Sequence, residues 1–365
     1  MTTPAPPTNL VALSRSELTA LVTGWKWPRY RAAQLWDWLY RQRVTTFAEM
    51  TNLSALTREQ LAERATIRWP RAVRRQIAAD DTRKLLIELE DGQRIESVLI
   101  PDEKRLTLCL STQVGCTLDC GFCLTGTMGL KRNLKAYEMV GQWLIARQEL
   151  EQHPDGLPRR LTNLVFMGMG EPLANLPQLT DALGRLTDPH GIAFPPRRIT
   201  VSTAGLVPQI AEMGRVKPAV NLAVSLNAAD DATRAKIMPL AARYSIDELM
   251  AACRAYPLAP RRFITFEYVL LDRVNDSDDD AHRLTKLLGG LRAKVNLIPW
   301  NPYPGTPFYR PSDDRIARFQ AILIKQDIPT YVRKSKGQEI LAACGQLHSV
   351  TTVHADGVEQ PLRVG

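Results

Sequence analysis

The sequence lacks any run of about 18 apolar residues, the length that a helix needs to cross a membrane. Its first ten residues, MTTPAPPTNL, also lack the charged region followed by an apolar stretch that marks a secretory signal peptide. No internal repeat or low-complexity segment is present. We therefore expect a soluble cytoplasmic protein that has no membrane partner, and we expect it to be a monomer.

Cysteine is scarce as well, with six residues in a chain of 365. A disulfide framework is typical of short secreted chains, so this number excludes that class. Three of the six nevertheless stand within eight residues, in the stretch CTLDCGFC, as Cys116, Cys120 and Cys123. In a reducing compartment, clustered cysteines usually bind a metal or take part in chemistry.

Positive charge is abundant and is unevenly distributed. The net charge is +9, and residues 1–75 alone hold 12 lysines and arginines against 5 acids. Five of the seven tryptophans lie in the same stretch, where helical spacing predicts that they form the core of a small helical domain. A compact basic domain attracts phosphate backbones because neutralised phosphates release counterions. We therefore expect a nucleic-acid partner.

From about residue 105, apolar strands alternate with helical segments, which is typical of a parallel sheet with right-handed crossovers. This pattern predicts an α/β fold with a partial (βα)6 barrel, preceded by a β-hairpin that turns at Asp91-Gly92. The strand candidates are residues 106–112, 161–168, 198–203, 220–227, 263–271 and 294–299. The predicted domains are an N-terminal helical RNA-binding domain (1–75), a β extension (76–104), the core (105–345) and a C-terminal tail (346–365).

The spacing C-x3-C-x2-C favours an iron–sulfur cluster. Four glycines between residues 115 and 129 make an unbroken helix unfavourable, and a loop lets three sulfur atoms converge. Structural zinc takes four ligands, whereas no fourth cysteine or histidine lies nearby. Three cysteines suit a four-iron cluster with one iron left open. Zinc and incidental thiols remain as alternatives.

With Phe122 before its last cysteine, this loop resembles the signature of the radical S-adenosylmethionine (SAM) enzymes. The resemblance implies a [4Fe–4S] cluster that is held by Cys116, Cys120 and Cys123. It also implies that SAM chelates the open iron and is cleaved by one electron to a 5′-deoxyadenosyl radical. Cluster potentials as low as roughly −700 mV make such a reduction feasible.

Polar side chains follow the ends of successive strand candidates, where ligands collect in such folds. The stretch MGMGEP resembles the glycine–glutamate motif of the superfamily, in which the carboxylate meets an ammonium group. The others are short polar groups suited to ribose hydroxyls, a carboxylate or adenine edges. The predicted cofactor-binding residues are Gly170, Glu171, Ser202, Ser225, Leu226, Asn227 and Asn301.

Taken in order, the stretches TLCLSTQVGCTLDCGFC, MGMGEPL, VSTAGL, VSLNA, IPWNP and AACGQL resemble a family of bacterial RNA adenine-C2 methyltransferases. The resemblance runs from about residue 10 to 350. It implies action on an adenine of 23S rRNA and on the adenine 3′ of the anticodon in certain tRNAs, with an electron donor such as flavodoxin. It also implies that Cys344 carries the methyl group, that Cys109 is the resolving thiol and that Glu96 accepts a proton.

Three other functions remain open. A relative that methylates adenine C8 shares the same cysteines. A radical methylthiotransferase needs a second cysteine triplet, which Cys109, Cys253 and Cys344 are too scattered to form. A non-catalytic zinc-containing RNA-binding protein would be colourless and would hold zinc instead of iron and sulfide. Cys253, on an apparent helix face, is predicted to belong to the core.

Overall fold

The computed structural model describes residues 7–158, 160–349, 351–353 and 359–361. The first six residues of the predicted N-terminal domain and half of the predicted C-terminal tail lie outside the described residues, as does residue 159; the tail residues concerned are 350, 354–358 and 362–365. No helix in the described ranges is both long and apolar enough to cross a membrane.

The N-terminal module, residues 8–66, is a small helical unit, as its sequence predicts. Ser14 begins the first helix, and its hydroxyl accepts a hydrogen bond from the backbone N–H of Glu17 in a capping box. Trp36 is buried, and the other four tryptophans of the predicted domain are partly buried against the core. The elements are β1 (Thr8–Asn9), α1 (Arg15–Gly24), α2 (Tyr30–Trp36), a π-helical turn (Asp37–Gln42), α3 (Ala55–Arg64) and β2 (Ala65–Thr66).

An antiparallel extension connects this module to the main sheet. The predicted hairpin at Asp91-Gly92 is confirmed. The strand before this hairpin, Arg71–Ile77, was not predicted because three arginines obscure its apolar pattern. The last of the four strands here is also the first strand of the barrel. They are β3 (Arg71–Ile77), β4 (Arg83–Glu88), β5 (Arg94–Asp102) and β6 (Arg105–Cys109).

Two short strands, β7 (Gln113–Gly115) and β8 (Leu130–Asn133), pair antiparallel and enclose the cysteine loop. The rest of the barrel is parallel, and all six predicted strands are present. A seventh parallel strand at the edge was not predicted because it has only three residues. The parallel strands after β6 are β9 (Asn163–Phe166), β10 (Ile199–Thr203), β11 (Asn221–Ser225), β12 (Ile264–Leu270), β13 (Ala293–Pro299) and β14 (Thr330–Val332).

The helices cover the outside of this sheet. The segment 231–256, predicted as one helix, is divided because Pro239 cannot continue the hydrogen-bond ladder. The helices are α4 (Ala136–Gln152), α5 (Leu176–Thr187), α6 (Val207–Met213), α7 (Asp231–Ile237), α8 (Ile246–Ala255), α9 (Asp278–Leu288) and α10 (Asp313–Lys325). A last antiparallel pair is formed by β15 (Thr351–Val353) and β16 (Glu359–Pro361).

One large apolar core joins the barrel to the N-terminal module. Arg185 of α5 is buried at their boundary, where it donates hydrogen bonds to the carbonyl of Val11 (2.7 Å) and to the hydroxyl of Tyr40 (2.8 Å). The antiparallel and parallel strands together form one mixed sheet of ten strands. The carboxyl ends of its parallel strands lie at one edge, which is where such folds place their ligand site.

Candidate active site

The cysteine loop is shaped by a close backbone approach between β7 and β8. Gly115 has φ +77°, and a Cβ at this position would lie 1.8 Å from the carbonyl oxygen of Gly129, so no other residue fits there. The N–H of Cys116 donates to that same carbonyl at 3.2 Å, and the N–H of Cys123 donates to the carbonyl of Cys120 at 3.0 Å. The loop therefore holds its cysteines on a fixed backbone.

The three loop thiols lie in surroundings that disfavour their charged forms. Burial raises the pKa of Cys116 to about 12 and raises the pKa of Cys120 and Cys123 as well. Negative charge on neighbouring thiols adds to the effect. A positive metal centre would supply the missing stabilisation of the thiolates, because metal ligands must be deprotonated.

A cleft of about 980 Å³, open to solvent, lies at the carboxyl ends of the parallel strands. It brings together most of the residues predicted from sequence, which come from the cysteine loop, four strand ends and the segment near residue 344. Leu226 is the exception among the cofactor candidates, because its side chain is fully buried in the apolar core. The predicted residues that line the cleft are Cys116, Cys120, Cys123, Gly170, Glu171, Ser202, Ser225, Asn227, Asn301 and Cys344.

Glu171 is held rigidly at the end of β9. One carboxylate oxygen accepts the N–H of Leu173 at 2.9 Å, and the other accepts the N–H of Ala204 at 2.7 Å. Burial raises the pKa of Glu171 to about 7, against which these two hydrogen bonds act. The preceding Gly170 has φ +94°, and a Cβ there would lie 2.5 Å from Cβ of Gln113. The carboxylate is therefore fixed in place and suited to an ammonium group.

The remaining polar side chains of the cleft differ in whether they already hydrogen-bond to other groups of the protein. In the described part of the chain, the hydroxyls of Ser202 and Ser225 make no hydrogen bond to protein. Asn227, by contrast, accepts the N–H of Val269 at 2.9 Å. Asn301 donates to the carbonyl of Cys344 at 3.1 Å, so it positions the segment that carries this cysteine. The two serines are thus the groups most available to a ligand.

Cys344 is exposed at the cleft, whereas Cys109, at the end of β6, is buried. Burial raises the pKa of Cys109 to about 12, and negative charge on Cys344 raises it further. These residues are 235 positions apart in sequence. Cys253, as predicted, is buried in the core on α8.

Glu96 lies outside the cleft. Its carboxylate forms an ion pair with Lys84 at 3.0 Å and accepts the backbone N–H of His348 at 2.9 Å, and both ion-paired side chains are buried. Burial raises the pKa of Glu96, whereas Lys84 lowers it. Glu96 is therefore bonded to the segment that follows Cys344 in the chain. Its role as a proton acceptor stays a prediction.

Two charged residues also line the cleft. Glu267 was missed by sequence reasoning, whereas Arg333 belongs to the basic stretch 333–336, which the sequence indicates as able to hold an RNA backbone. Glu267 lies on β12 with 4% of its surface exposed, and its Oε2 has no hydrogen-bond partner among the described residues. Arg333 follows β14, and its guanidinium lies 3.8 Å from that oxygen. The charge of Cys344 and that of Cys109 both raise the pKa of Arg333, so it faces the two thiols. A lone glutamate inside the apolar stretch FITFEYVLL was the available signal.

Within the described ranges, no group of three or more histidine, cysteine or acidic side chains converges closely enough to hold a single metal ion. The three loop thiols nevertheless line one cleft on one side of Glu171. Thiolates that bind different irons of a cluster need not converge on one point, and iron–sulfur clusters are held by cysteine thiolates. The donor set therefore fits a cluster.

The comparisons with known proteins agree with this site. The Radical SAM superfamily model matches residues 110–285. A radical SAM methyltransferase from Sphaerobacter thermophilus has a similar structure, with a TM-score of 0.88 and 46% sequence identity, covering 94% of this chain and all of the other. The fold and the cysteine loop therefore define a radical SAM enzyme, a class that implies a [4Fe–4S] cluster and SAM.

The N-terminal module narrows the class. The model described as Ribosomal RNA large subunit methyltransferase N-terminal domain matches residues 8–67. The dual-specificity RNA methyltransferase RlmN of Syntrophobacter fumaroxidans is 50% identical, over 91% of this chain and 95% of the relative. That of Solidesulfovibrio magneticus is 47% identical, over 96% and 99%. The chain belongs to the RlmN family of radical SAM RNA methyltransferases.

Proposed function

We propose that this chain methylates C2 of an adenine in RNA by way of a methyl group carried on Cys344. Its RNA substrates are an adenine of the peptidyl-transferase centre of 23S rRNA and the adenine 3′ of the anticodon in certain tRNAs. The observation that carries the proposal is the exposed thiol of Cys344 at the same cleft as the three loop cysteines, in a chain of the RlmN family.

The chemistry of C2 requires a nucleophile on the protein. This carbon is electron-poor and does not attack a sulfonium methyl group, whereas a thiolate does. Cys344 is the one exposed cysteine of the cleft, so it displaces S-adenosylhomocysteine from one SAM and becomes a thioether. The cluster, when bound, supplies the electron that converts a second SAM into methionine and a radical able to remove hydrogen from the thioether methyl.

Cys109 is suited to the release step. After the methylene carbon has bonded to C2, the sulfur of Cys109 attacks that of Cys344, the carbon–sulfur bond breaks and a disulfide forms. The C2 proton passes to a base, for which Glu96 is the predicted candidate, and the methylene carbon takes up the proton that the Cys109 thiol loses. The one electron released would return to the cluster, which has given up one electron to SAM. The burial of Cys109 shields its thiol from solutes in the bulk solvent.

The cofactor contacts follow from the cleft. Cys116, Cys120 and Cys123 would ligate three irons of the cluster and leave the fourth open to SAM. Glu171 would accept the ammonium group of SAM, Ser202 and Ser225 its carboxylate or ribose, and Asn227 and Asn301 would order the surrounding backbone. We further propose a monomeric, cytoplasmic enzyme that binds RNA through its N-terminal module and takes electrons from a donor such as flavodoxin.

Mass spectrometry of the peptide that contains Cys344, from anaerobically purified protein, tests the proposal. We expect one extra methyl group on Cys344, methylation at C2 and not C8 in digested RNA, and loss of both in the Cys344→Ala variant with cluster absorbance unchanged. The Cys253→Ala variant is the matched control and should retain activity. Isotope label that passes to RNA without residing on Cys344 would contradict the mechanism.

The Cys109→Ala variant tests the release step separately. Without the second thiol, the carbon–sulfur bond to RNA cannot break, so a covalent enzyme–RNA adduct should accumulate. Denaturing gel electrophoresis with labelled RNA measures it. Normal turnover by this variant would exclude the resolving role.

A further inference from the structure

A second pocket adjoins the cleft at Cys344. It is small, with a volume of about 40 Å³, and it shares Asn301, Arg333 and Cys344 with the cleft. The rest of its polar lining comes from Lys334, Ser335 and Lys336. We call this the basic pocket. Cys344 therefore lies between a cofactor-sized space on one side and a smaller cationic space on the other.

The cations of the basic pocket are only loosely paired. Arg333 lies 3.8 Å from Glu267 and Lys336 lies 3.9 Å from Asp80, both beyond hydrogen-bond distance. The side chain of Lys334 is exposed and has no ion pair within the described ranges. Glu339, the nearest acid along the segment, is turned away and accepts the N–H of Ala79. The N–H donors of all three cations therefore remain available to an anion.

The backbone of this segment is fixed before any ligand arrives. Gly337 has φ +63°, and its N–H donates to Asp80 at 3.1 Å, while a Cβ there would lie 2.7 Å from the side chain of Thr82. Ser335 donates to the side-chain oxygen of Asn301 at 2.5 Å. The segment 335–337 is thus already ordered in the free protein, so binding a ligand there would lose little conformational entropy.

The proposed reaction determines what must lie next to Cys344. In the proposed reaction the target base bonds to a carbon on the Cys344 sulfur. The base must therefore be unstacked from its neighbours. The two phosphates of the same nucleotide then lie close to Cys344. Phosphates are bound by lysine, arginine and hydroxyl groups, which position the strand without reading its sequence. The basic pocket offers lysine and arginine groups for this purpose beside Cys344, whereas the hydroxyl of Ser335 is already bonded to Asn301.

We propose that the basic pocket binds a phosphate that flanks the target adenine, with Lys334 and Lys336 as its principal contacts. The inference rests on the proposed RNA substrate. Arg333 is shared with the thiol site, so it links the bound strand to Cys344. This places a specific anchor for the substrate strand beside the reacting sulfur, separate from the basic surface of the N-terminal module.

A double-mutant cycle tests the proposal: the affinity for RNA is measured while one phosphate of the RNA and two lysines of the enzyme are changed separately and together. The probe is a target-containing RNA hairpin with ordinary linkages, or with an uncharged methylphosphonate at the linkage 5′ or 3′ of the target adenine. For the ordinary hairpin, Lys334→Ala combined with Lys336→Ala should weaken binding about tenfold and lower the slope of log K against log salt by about one. One methylphosphonate should weaken binding to the unsubstituted enzyme and have no effect on this variant.

Lys325→Ala, which removes an exposed lysine on the far end of α10, is the control for charge alone and should leave the cycle unchanged. Equal methylphosphonate penalties in the unsubstituted and the doubly substituted enzyme would overturn the proposal. Methylation of Cys344 requires no RNA, so it should persist in the double variant. Its absence from the unsubstituted enzyme would refute the proposed function, while the binding cycle would still report on the pocket.

Discussion

Glu171 shows how single residues of the site are prepared for charge. Its carboxylate receives two backbone N–H groups, and yet burial dominates and raises its pKa to about 7. An acid whose pKa is higher in the folded than in the unfolded state binds more protons when folded. Its ionisation therefore destabilises the fold as pH rises from its ordinary value toward and beyond 7. The cationic cofactor would offset this cost when it binds.

We predict that the Glu171→Gln variant of the cluster-free protein changes how stability depends on pH. Between pH 5 and pH 8 the unsubstituted protein should lose roughly 3 kcal/mol relative to the variant, because only the carboxylate must ionise in a buried site. Urea unfolding at both pH values measures the difference. A difference that does not change with pH would show that Glu171 ionises without penalty.

At the scale of elements, Asn301 connects the end of β13 to the segment that carries Cys344. Its side-chain oxygen accepts from Ser335 and from Gln338 at 3.0 Å, and its amide donates to the carbonyl of Cys344. One side chain thus orders both the basic pocket and the reactive cysteine. Asn301 also lines the cleft, and its predicted contact with the cofactor stays a prediction.

We predict that Asn301→Ala loosens residues 335–346 while the barrel stays folded. Three hydrogen bonds worth about 1 kcal/mol each are lost, so amide hydrogen exchange in this segment should accelerate by about a hundredfold and the methylated fraction of Cys344 should fall. Gln338→Ala removes one of the three bonds and should have a smaller effect. Unchanged exchange in the Asn301→Ala variant would contradict the positioning role.

At the scale of the whole molecule, the N-terminal module is joined to the barrel through Arg185. Besides Val11 and Tyr40, its guanidinium contacts the carbonyl of Ala12 and forms an ion pair with Asp181 at 2.7 Å. With 3% of its surface exposed, it satisfies several buried acceptors at once. Arg185 therefore adds buried polar contacts to the apolar core that holds the module on the barrel.

We predict that Arg185→Ala lowers the free energy of unfolding by about 3–5 kcal/mol, because it leaves buried acceptors unpaired. Limited proteolysis should cut between the module and the barrel at lower urea concentration than in the unsubstituted protein. Arg197→Ala, at an exposed arginine, is the matched control. Simultaneous loss of the module and the barrel would show instead that the two unfold as one cooperative unit.

The sequence by itself determined the cysteine triplet, the order of the barrel strands and the family. These features are local, since ligand spacing and apolar periodicity are properties of short stretches. The predicted hairpin at Asp91-Gly92 has the same origin. By contrast, β3 and β14 escaped prediction because their pairing partners, and not their own residues, make them strands.

Only the tertiary structure decided which distant groups meet. It placed Glu267 and Arg333 at the same cleft, and it paired Glu96 with Lys84 outside that cleft. A side chain's neighbours across a closed sheet depend on register and crossover, which no short stretch encodes. That is why the chemistry of the loop and the basic character of residues 333–336 could be predicted from the sequence, whereas the position of those residues beside Cys344 could not.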